Sequence, residues 1–383
     1  MYPTITDLIK DLFGVYIPLP IQSFGFFVAL AFIMGAYVMA VELKRKEGEG
    51  LLEPVKQKKL KGAPVKITEL IISAIIGFAL GYKMLDIILN YGPFVEDPQS
   101  FILSSRGSFL GGIIGGVLSA YLKYREKEKN KLDEPKWVEE TLHPYQLIGN
   151  IVLIAAAAGL LGAKIFHNLE NIDELIADPV DALISFSGLT FYGGLICGTV
   201  AVLYYVKKKN IGIVHMVDIA APALFLAYGI GRIGCQVAGD GDWGIPNDLP
   251  QPAWLSFLPE WVWAYDYPNN VFGVDLQKDF ARMGLTSITG KAYPTPIYES
   301  TICILLFGLL WVIRKKITIP GVLFCIYLVL NGIERFFIEK IRINEVYHIF
   351  EYKVTQAEII SVVLIIVGVI GIWYFMRRER LRS

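Results

Sequence analysis

The chain has 383 residues, of which 54% are hydrophobic and a further 36 are glycine, whereas soluble domains average about 45 to 50% with glycine included. Its 36 basic and 36 acidic residues cancel, so no global charge draws it to nucleic acid or other polyanions. Disorder, collagen and a disulfide scaffold are excluded, and recurring apolar runs of about 20 residues point to an all-α, polytopic membrane protein.

In chain order the runs cover about 20–43, 69–90, 108–124, 145–168, 188–206, 213–234, 296–313, 319–342 and 357–376. These are nine expected spans in a single transmembrane domain, 1–383. Residues 1–19 lack a basic n-region, so the first span is expected to be an anchor and not a cleaved signal. Basic residues near span ends stay in the cytoplasm. Lys44, Arg45, Lys46 and five more lysines follow span one, and six basic residues between Lys123 and Lys136 follow span three. With 207–209, 314–316 and the final Arg377, Arg378, Arg380 and Arg382, these alternate loops hold 24 of the 36 basic residues. The N-terminus is therefore expected outside, the C-terminus in the cytoplasm, and the loop 235–295 outside. Cys197, Cys235, Cys303 and Cys325 have neither metal-like nor disulfide-framework spacing, and no metal or organic cofactor is expected.

Residues 41–122 recur as 123–205. IIGFALGYKMLDII (75–88) matches AAAGLLGAKIFHNL (156–169), Glu96-Asp97-Pro98 answers Ala177-Asp178-Pro179, and SFLGGIIGG (108–116) matches TFYGGLICG (190–198). The unit contains two spans, so both copies face the same way, unlike the inverted repeats of many transporters.

Ionisable groups within spans are costly unless they pair or face water, which makes each one a functional candidate. In span eight, Arg335, Glu339 and Arg342 fall at i, i+4 and i+7 on one helical face. A rise of about 1.5 Å per residue from residue 319 puts Arg335 roughly 24 Å up a ~30 Å core, at outer-leaflet depth. Arg232 reaches the same depth on span six. Two guanidiniums there suit a lipid phosphate, which each can grip through paired, charge-assisted hydrogen bonds. An outer-leaflet cavity lined by spans five, six and eight is expected. Lys164, His167, Lys83 and Asp86 read as interfacial. Gly193 and Gly194, after Tyr192, open span five as small residues, as Gly111 and Gly112 open span three. The outer loop carries Trp243, Trp254, Trp261 and Trp263 among prolines, an arm expected to graze the membrane; its acids Asp240, Asp242, Asp248 and Asp266 read as turn residues.

Four stretches together resemble the bacterial phosphatidylglycerol:prolipoprotein diacylglyceryl transferases: LTFYGGLICG (189–198), YGIGRIGCQVAGDGDWG (228–244), YPTPIYES (293–300) and ERFFIEKIR (334–342). The resemblance spans about 145–376 plus the first span, and the two extra spans over the usual seven are the duplicated pair. It implies transfer of a diacylglyceryl group from phosphatidylglycerol to the lipobox cysteine of exported prolipoproteins, with release of glycerol phosphate, at a bacterial inner-membrane site facing the outer leaflet. Its implied partners are phosphatidylglycerol, signal peptides with a lipobox cysteine and membrane lipids. Arg232 matches the family's signature arginine, Arg335 and Glu339 its RFxxE-type pair, and Glu299 the acid before the next span. The implied catalytic residues are Tyr192, Arg232, Arg335 and Glu339; Gly193, Gly194, Asp240, Glu299 and Arg342 join Arg232 in binding substrate. Several positions depart from the pattern. Tyr192 stands for a histidine, Cys235 for an asparagine, Phe24 for a tyrosine, Tyr293 for a histidine, and Asp240, after one inserted residue, for a glutamate. HPYQL (143–147) mimics a family segment but lies at the cytoplasmic end of span four. With no histidine at 192, Tyr192 is expected to donate a hydrogen bond while the arginines ease ionisation of the substrate thiol; His167 is a further candidate base. An anionic-lipid transporter or scramblase would use the same arginines without chemistry.

Overall fold

In a membrane an apolar run must satisfy its own backbone hydrogen bonds, and helices do so. The computed structural model describes residues 1–96, 98–184, 190–344, 346–349 and 352–381; Asp97, Leu189 and Arg382 lie outside the described residues. In chain order the helices are α1 (Ile5–Phe13), α2 (Ser23–Gly48), α3 (Ile67–Leu89), α4 (Tyr91–Glu96), α5 (Pro98–Leu103), α6 (Phe109–Lys129), α7 (Ile148–Glu170), α8 (Ile172–Ala177), α9 (Pro179–Ile184), α10 (Phe191–Lys208), α11 (Ile213–Ala238), α12 (Leu276–Arg282), α13 (Thr295–Ile313), α14 (Val322–Glu339) and α15 (Gln356–Arg380).

Six helices are long and apolar enough to cross a membrane: α2, α3, α7 with the turn Pro144–Leu147 leading into it, α11, α13 and α15. The protein is a polytopic membrane protein. Helices also occupy the other three expected positions, but their composition is less apolar. The α6 helix ends in YREKEK, α10 ends in two lysines, and the 18 residues of α14 include Glu334, Arg335 and Glu339.

The fold is not purely helical. Strand β1 (Val55–Lys61) pairs antiparallel with β2 (Lys136–Leu142), in a register running from Val55 opposite Leu142 to Lys61 opposite Lys136. Strands β3 (Val346–Ile349) and β4 (Tyr352–Thr355) form a second ribbon. The lysines of β1 hide its pattern, since VKQKKLK reads as a basic loop. Lys59 and Lys61 instead lie 3.7 and 3.8 Å from Glu140 across the ladder. The order strand, long helix, two short helices, helix occurs twice, as β1-α3-α4-α5-α6 and as β2-α7-α8-α9-α10.

The helices pair as hairpins, α3 with α6, α7 with α10 and α14 with α15, while α2 and α13 both pack on α11. Helix α11 is the centre, with 56% of its apolar window buried against 11 to 28% for the other five spans. Ala221 and Phe225 of α11, Cys303 and Leu310 of α13 and Leu323 of α14 form one core.

Small residues close the hairpins. A Cβ on Gly81 would lie 2.2 Å from the Gly111 carbonyl oxygen, and one on Gly193 would lie 2.4 Å from Phe166 Cβ and 2.5 Å from the Gly162 carbonyl oxygen. Gly194 faces the same crossing, its Cβ position 3.1 Å from the Gly159 carbonyl oxygen. Both glycines therefore pack α10 against α7. Because overpacking of a tight contact costs about 1 to 3 kcal/mol, Gly193→Ala is expected to lower the thermal unfolding midpoint in detergent. An unchanged midpoint would show that this crossing tolerates a methyl group.

Candidate active site

Helix α11 stops at Gly239, whose φ of +67° lets its N–H cap the Cys235 carbonyl and turns the chain back over the helix end. The returning segment lies against the residues after α14. Gly244 bridges to Arg342, and a Cβ on Gly244 would sit 2.4 Å from the Ile341 carbonyl oxygen, so only glycine permits this approach. The Thr295 hydroxyl donates to the Asp242 carbonyl at 2.6 Å, and buried Trp243 packs on Tyr267. These contacts fix Asp242 over the ends of α11, α13 and α14.

There the ionisable groups form a closed ring. Glu299, in the first turns of α13 where the helix dipole favours a carboxylate, is fully buried. One oxygen accepts from Arg342 at 2.9 Å and from Arg335 at 3.5 Å; the other accepts from the Tyr228 hydroxyl at 2.9 Å and from Arg232. Asp242 bridges Arg232 and Arg342 through its two oxygens. Arg335 also pairs with Glu339 at 2.9 Å, and Glu339 accepts from the Asn344 amide at 2.6 Å. Three guanidiniums thus face three carboxylates. The arginine side chains at 232 and 342 are 14 and 10% exposed, while that of Arg335 is 23% exposed and holds the longest contact with Glu299.

Arg335 and Glu339 open onto a cavity of about 300 Å³ that they line with Tyr192, Asn344, Tyr347 and Gln356. Tyr192, Arg335 and Glu339 therefore meet in one cavity, and Arg232, Glu299 and Arg342 meet in the ring behind it. The expected lining by spans five, six and eight is corrected in one respect: α10 and α14 contribute, but Arg232 of α11 stays in the ring, and Asn344, Tyr347, Thr355, Gln356 and Ala357 take its place. The two expected phosphate-gripping arginines do not converge as a free pair, because both end on Glu299. Gly193 and Gly194 lie in the α7/α10 crossing.

Asp242, read from sequence as a turn residue, is a ring member. Burial alone would raise its pKa, but the Arg232 and Arg342 guanidiniums outweigh burial and hold its carboxyl below the usual range. Burial and the neighbouring Asp242 charge push Asp240 up. Asp248 does cap a turn, its carboxyl held low by the Thr289 side chain and the N–H of Ile288. Cys235, Asp240 and Asp242 bring ligand atoms within 4.8 Å of one another, but Arg232 lies 3.7 Å from the Cys235 sulfur and pairs with Asp242, so a guanidinium already supplies the positive charge. Tyr228 escaped the sequence reading, although its place one turn before Arg232, at i−4, was the available signal. Asn344 carried no signal of its own.

The remaining candidates lie elsewhere. Lys83 donates to the carbonyls of Phe101, Ser104 and Arg106 at 2.6 to 3.1 Å, and Asp86 accepts from Asn90 at 2.7 Å. The His167 ring contacts Asn171 at 3.2 Å, and His143 of HPYQL pairs with Glu47.

A sequence profile of prolipoprotein diacylglyceryl transferase matches residues 11–139 and 129–374. The chain belongs to this family. A diacylglyceryl transferase of Staphylococcus xylosus is 31% identical over 300 residues, covering 77% of this chain and 93% of the relative. One of Prochlorococcus marinus subsp. pastoris is 27% identical over 317 residues, 77% of this chain and 98% of the relative. A third, of Clostridium tetani, is 30% identical over 223 residues, 58% and 78% respectively. All three are named phosphatidylglycerol–prolipoprotein diacylglyceryl transferases.

Two outcomes test the transferase ring. Removing one partner of a buried ionic group costs about 3 to 5 kcal/mol, so Glu299→Gln is expected to destabilise the protein by that order in denaturant unfolding; a loss under 1 kcal/mol would show that the ring is not structural. Asp242, with a depressed folded-state pKa, contributes stability that is fully present above its ordinary value of 3.8 and is lost as pH falls through its lower folded value. Acid unfolding should therefore show a loss below pH 3.8 that Asp242→Asn lacks.

Proposed function

We propose that the cavity beside Arg335 is where this transferase moves the diacylglyceryl group of phosphatidylglycerol onto the cysteine thiol of a prolipoprotein. The observation that carries this reading is the position of Arg335. It is the most exposed and most loosely paired guanidinium of the three, and it faces a cavity with Tyr192 while a neutral ring fixes its other side. A phosphate entering the cavity takes donors that Glu299 holds only at 3.5 Å. Arg232 and Arg342, tied to Glu299 and Asp242, position the site. An apolar groove of about 440 Å³ between α13 and α14, lined by Ile302, Leu306, Leu330 and Phe337, suits the acyl chains of the donor.

The substrate thiol gives its proton to water in the cavity in the field of Arg335, with Tyr192 donating a hydrogen bond to the sulfur or the phosphate. Sulfur attacks the glyceryl carbon that bears the phosphate ester, the C–S bond forms and the C–O bond breaks. The electron pair leaves on glycerol phosphate, whose growing charge Arg335 stabilises. The nine-span arrangement, with the N-terminus outside and the site facing the outer leaflet of a bacterial inner membrane, belongs to this proposal. It is supported by the distribution of basic residues, by helices at all nine positions, and by profile segments that meet near the repeat junction.

Incubating the detergent-purified chain with phosphatidylglycerol and a lipobox peptide, followed by mass spectrometry, tests the reading. Wild type should yield a diacylglyceryl adduct. Loss of a charge-stabilising donor costs about 10²- to 10³-fold in rate, so Arg335→Gln should fall by that order and Arg335→Lys by less, while Tyr192→Phe should fall measurably. Full activity in Arg335→Gln would overturn the assignment.

A further inference from the structure

At the end of the bundle opposite the ring, the last turns of α2 and α13 meet the first turns of α11 and α14. They surround a cavity of about 220 Å³ lined in part by Arg45, Lys46, His215, Asp218, Arg314 and Lys315. None of these residues belongs to the active site.

The carboxylates here are already committed. Glu42 is fully buried and accepts from Arg45 and, at 2.9 Å, from Arg314. Glu49 accepts from Arg45 at 2.6 Å. Asp218, 3% exposed, accepts the N–H groups of Gly321 and Phe324 at 2.7 and 2.9 Å and so caps α14. Lys46 is 6% exposed, and its ammonium lies 3.8 Å from Asp218, beyond hydrogen-bonding reach. Among the described residues it has no hydrogen-bond acceptor, so its three donors are left to whatever occupies the cavity that it lines. The Nδ1 atom of His215 is buried without a hydrogen-bond partner. Arg45, Lys46, Arg314 and Lys315 face Glu42, Glu49 and Asp218, which leaves one positive charge unmatched before His215 is considered. Arg314, with five donors, uses only some of them on Glu42 and the Trp311 carbonyl.

We propose that this cavity binds a phosphate group, with Lys46, Arg314 and Lys315 as its donors. The space admits one such group with its waters, and the single surplus charge matches a phosphodiester. The source is either the headgroup of an anionic phospholipid in the leaflet at this end or a soluble phosphate. The proposal stands on the cation cluster alone and is independent of the transferase chemistry. It places at the far ends of α11, α13 and α14 an anion that ties together the same helices that carry Arg232, Glu299 and Arg335.

Native mass spectrometry of the full chain in detergent tests it, with inorganic phosphate in one arm and phosphatidic acid, against phosphatidylcholine, in the other. Wild type and Arg335→Gln should both retain an anion adduct, with Lys46→Gln weakening its binding at least tenfold and Lys315→Gln severalfold. An adduct in the lipid arm alone assigns the site to a headgroup, and one in the phosphate arm supports a soluble ligand. Adducts unchanged in both lysine variants, or absent from both arms, would overturn the proposal. Lys315 is exposed, so Lys315→Gln decides the matter if Lys46→Gln does not fold. Transfer to the lipobox peptide, measured on the same samples, should persist in the lysine variants and fall in Arg335→Gln, which keeps this result separate from the active-site reading.

Discussion

The Glu299 carboxylate has two oxygens and four donors around it, three of them guanidiniums from separate points in the chain. Buried without those donors it would be a desolvated, unpaired group, and without it the arginines would repel one another across a few ångströms. This one group therefore fixes the relative positions of α11, α13 and α14 at this end of the bundle. The remaining contacts serve that arrangement: the turn at Gly239, the close approach at Gly244 and the Thr295 hydroxyl bring Asp242 in to close the ring. What is left over is a single arginine with one side braced and one side facing a cavity.

A neutral ring is also a sensible way to keep strong cations near hydrocarbon. Three uncompensated guanidiniums would draw water and counterions to the bilayer and raise the cost of the bundle. Matched by three carboxylates, they stay in place with small net charge, and only the loosest of them needs to exchange a partner when an anion arrives. The charge of the site is thus held in reserve by geometry, and its release depends on a contact of 3.5 Å between Arg335 and Glu299.

A helix stands at each expected span, six of them long and apolar enough to cross a membrane, where lipid leaves the backbone few alternatives. Neither two-stranded ribbon is legible in the hydropathy: the lysines of β1 mask its period, and that ribbon is stabilised by a partner some 80 positions away. At the site, the i, i+4 spacing exposed Arg335 and Glu339 as one helical face, while Arg342, expected at i+7 on the same face, lies beyond the end of α14 and bridges to Gly244; Arg232 stood out by its cost in a span. Asp242 was legible only as an acid in a glycine-rich loop, since its role arises from a backbone approach that no local pattern encodes. The glycines at 193 and 194 illustrate the converse. Beside the substrate role that the resemblance implies for them, they pack α10 against α7, as small residues do in membranes generally.

The pairing of β1 with β2 has an evolutionary consequence. Each strand immediately precedes one helix pair, and the register sets Lys61 directly opposite Lys136. The whole segment between them, including α3 and α6, therefore leaves and re-enters the rest of the protein at neighbouring points. A block attached in this way can be acquired or discarded by a lineage as a single cassette, with a short hairpin loop closing the gap and the catalytic helices undisturbed.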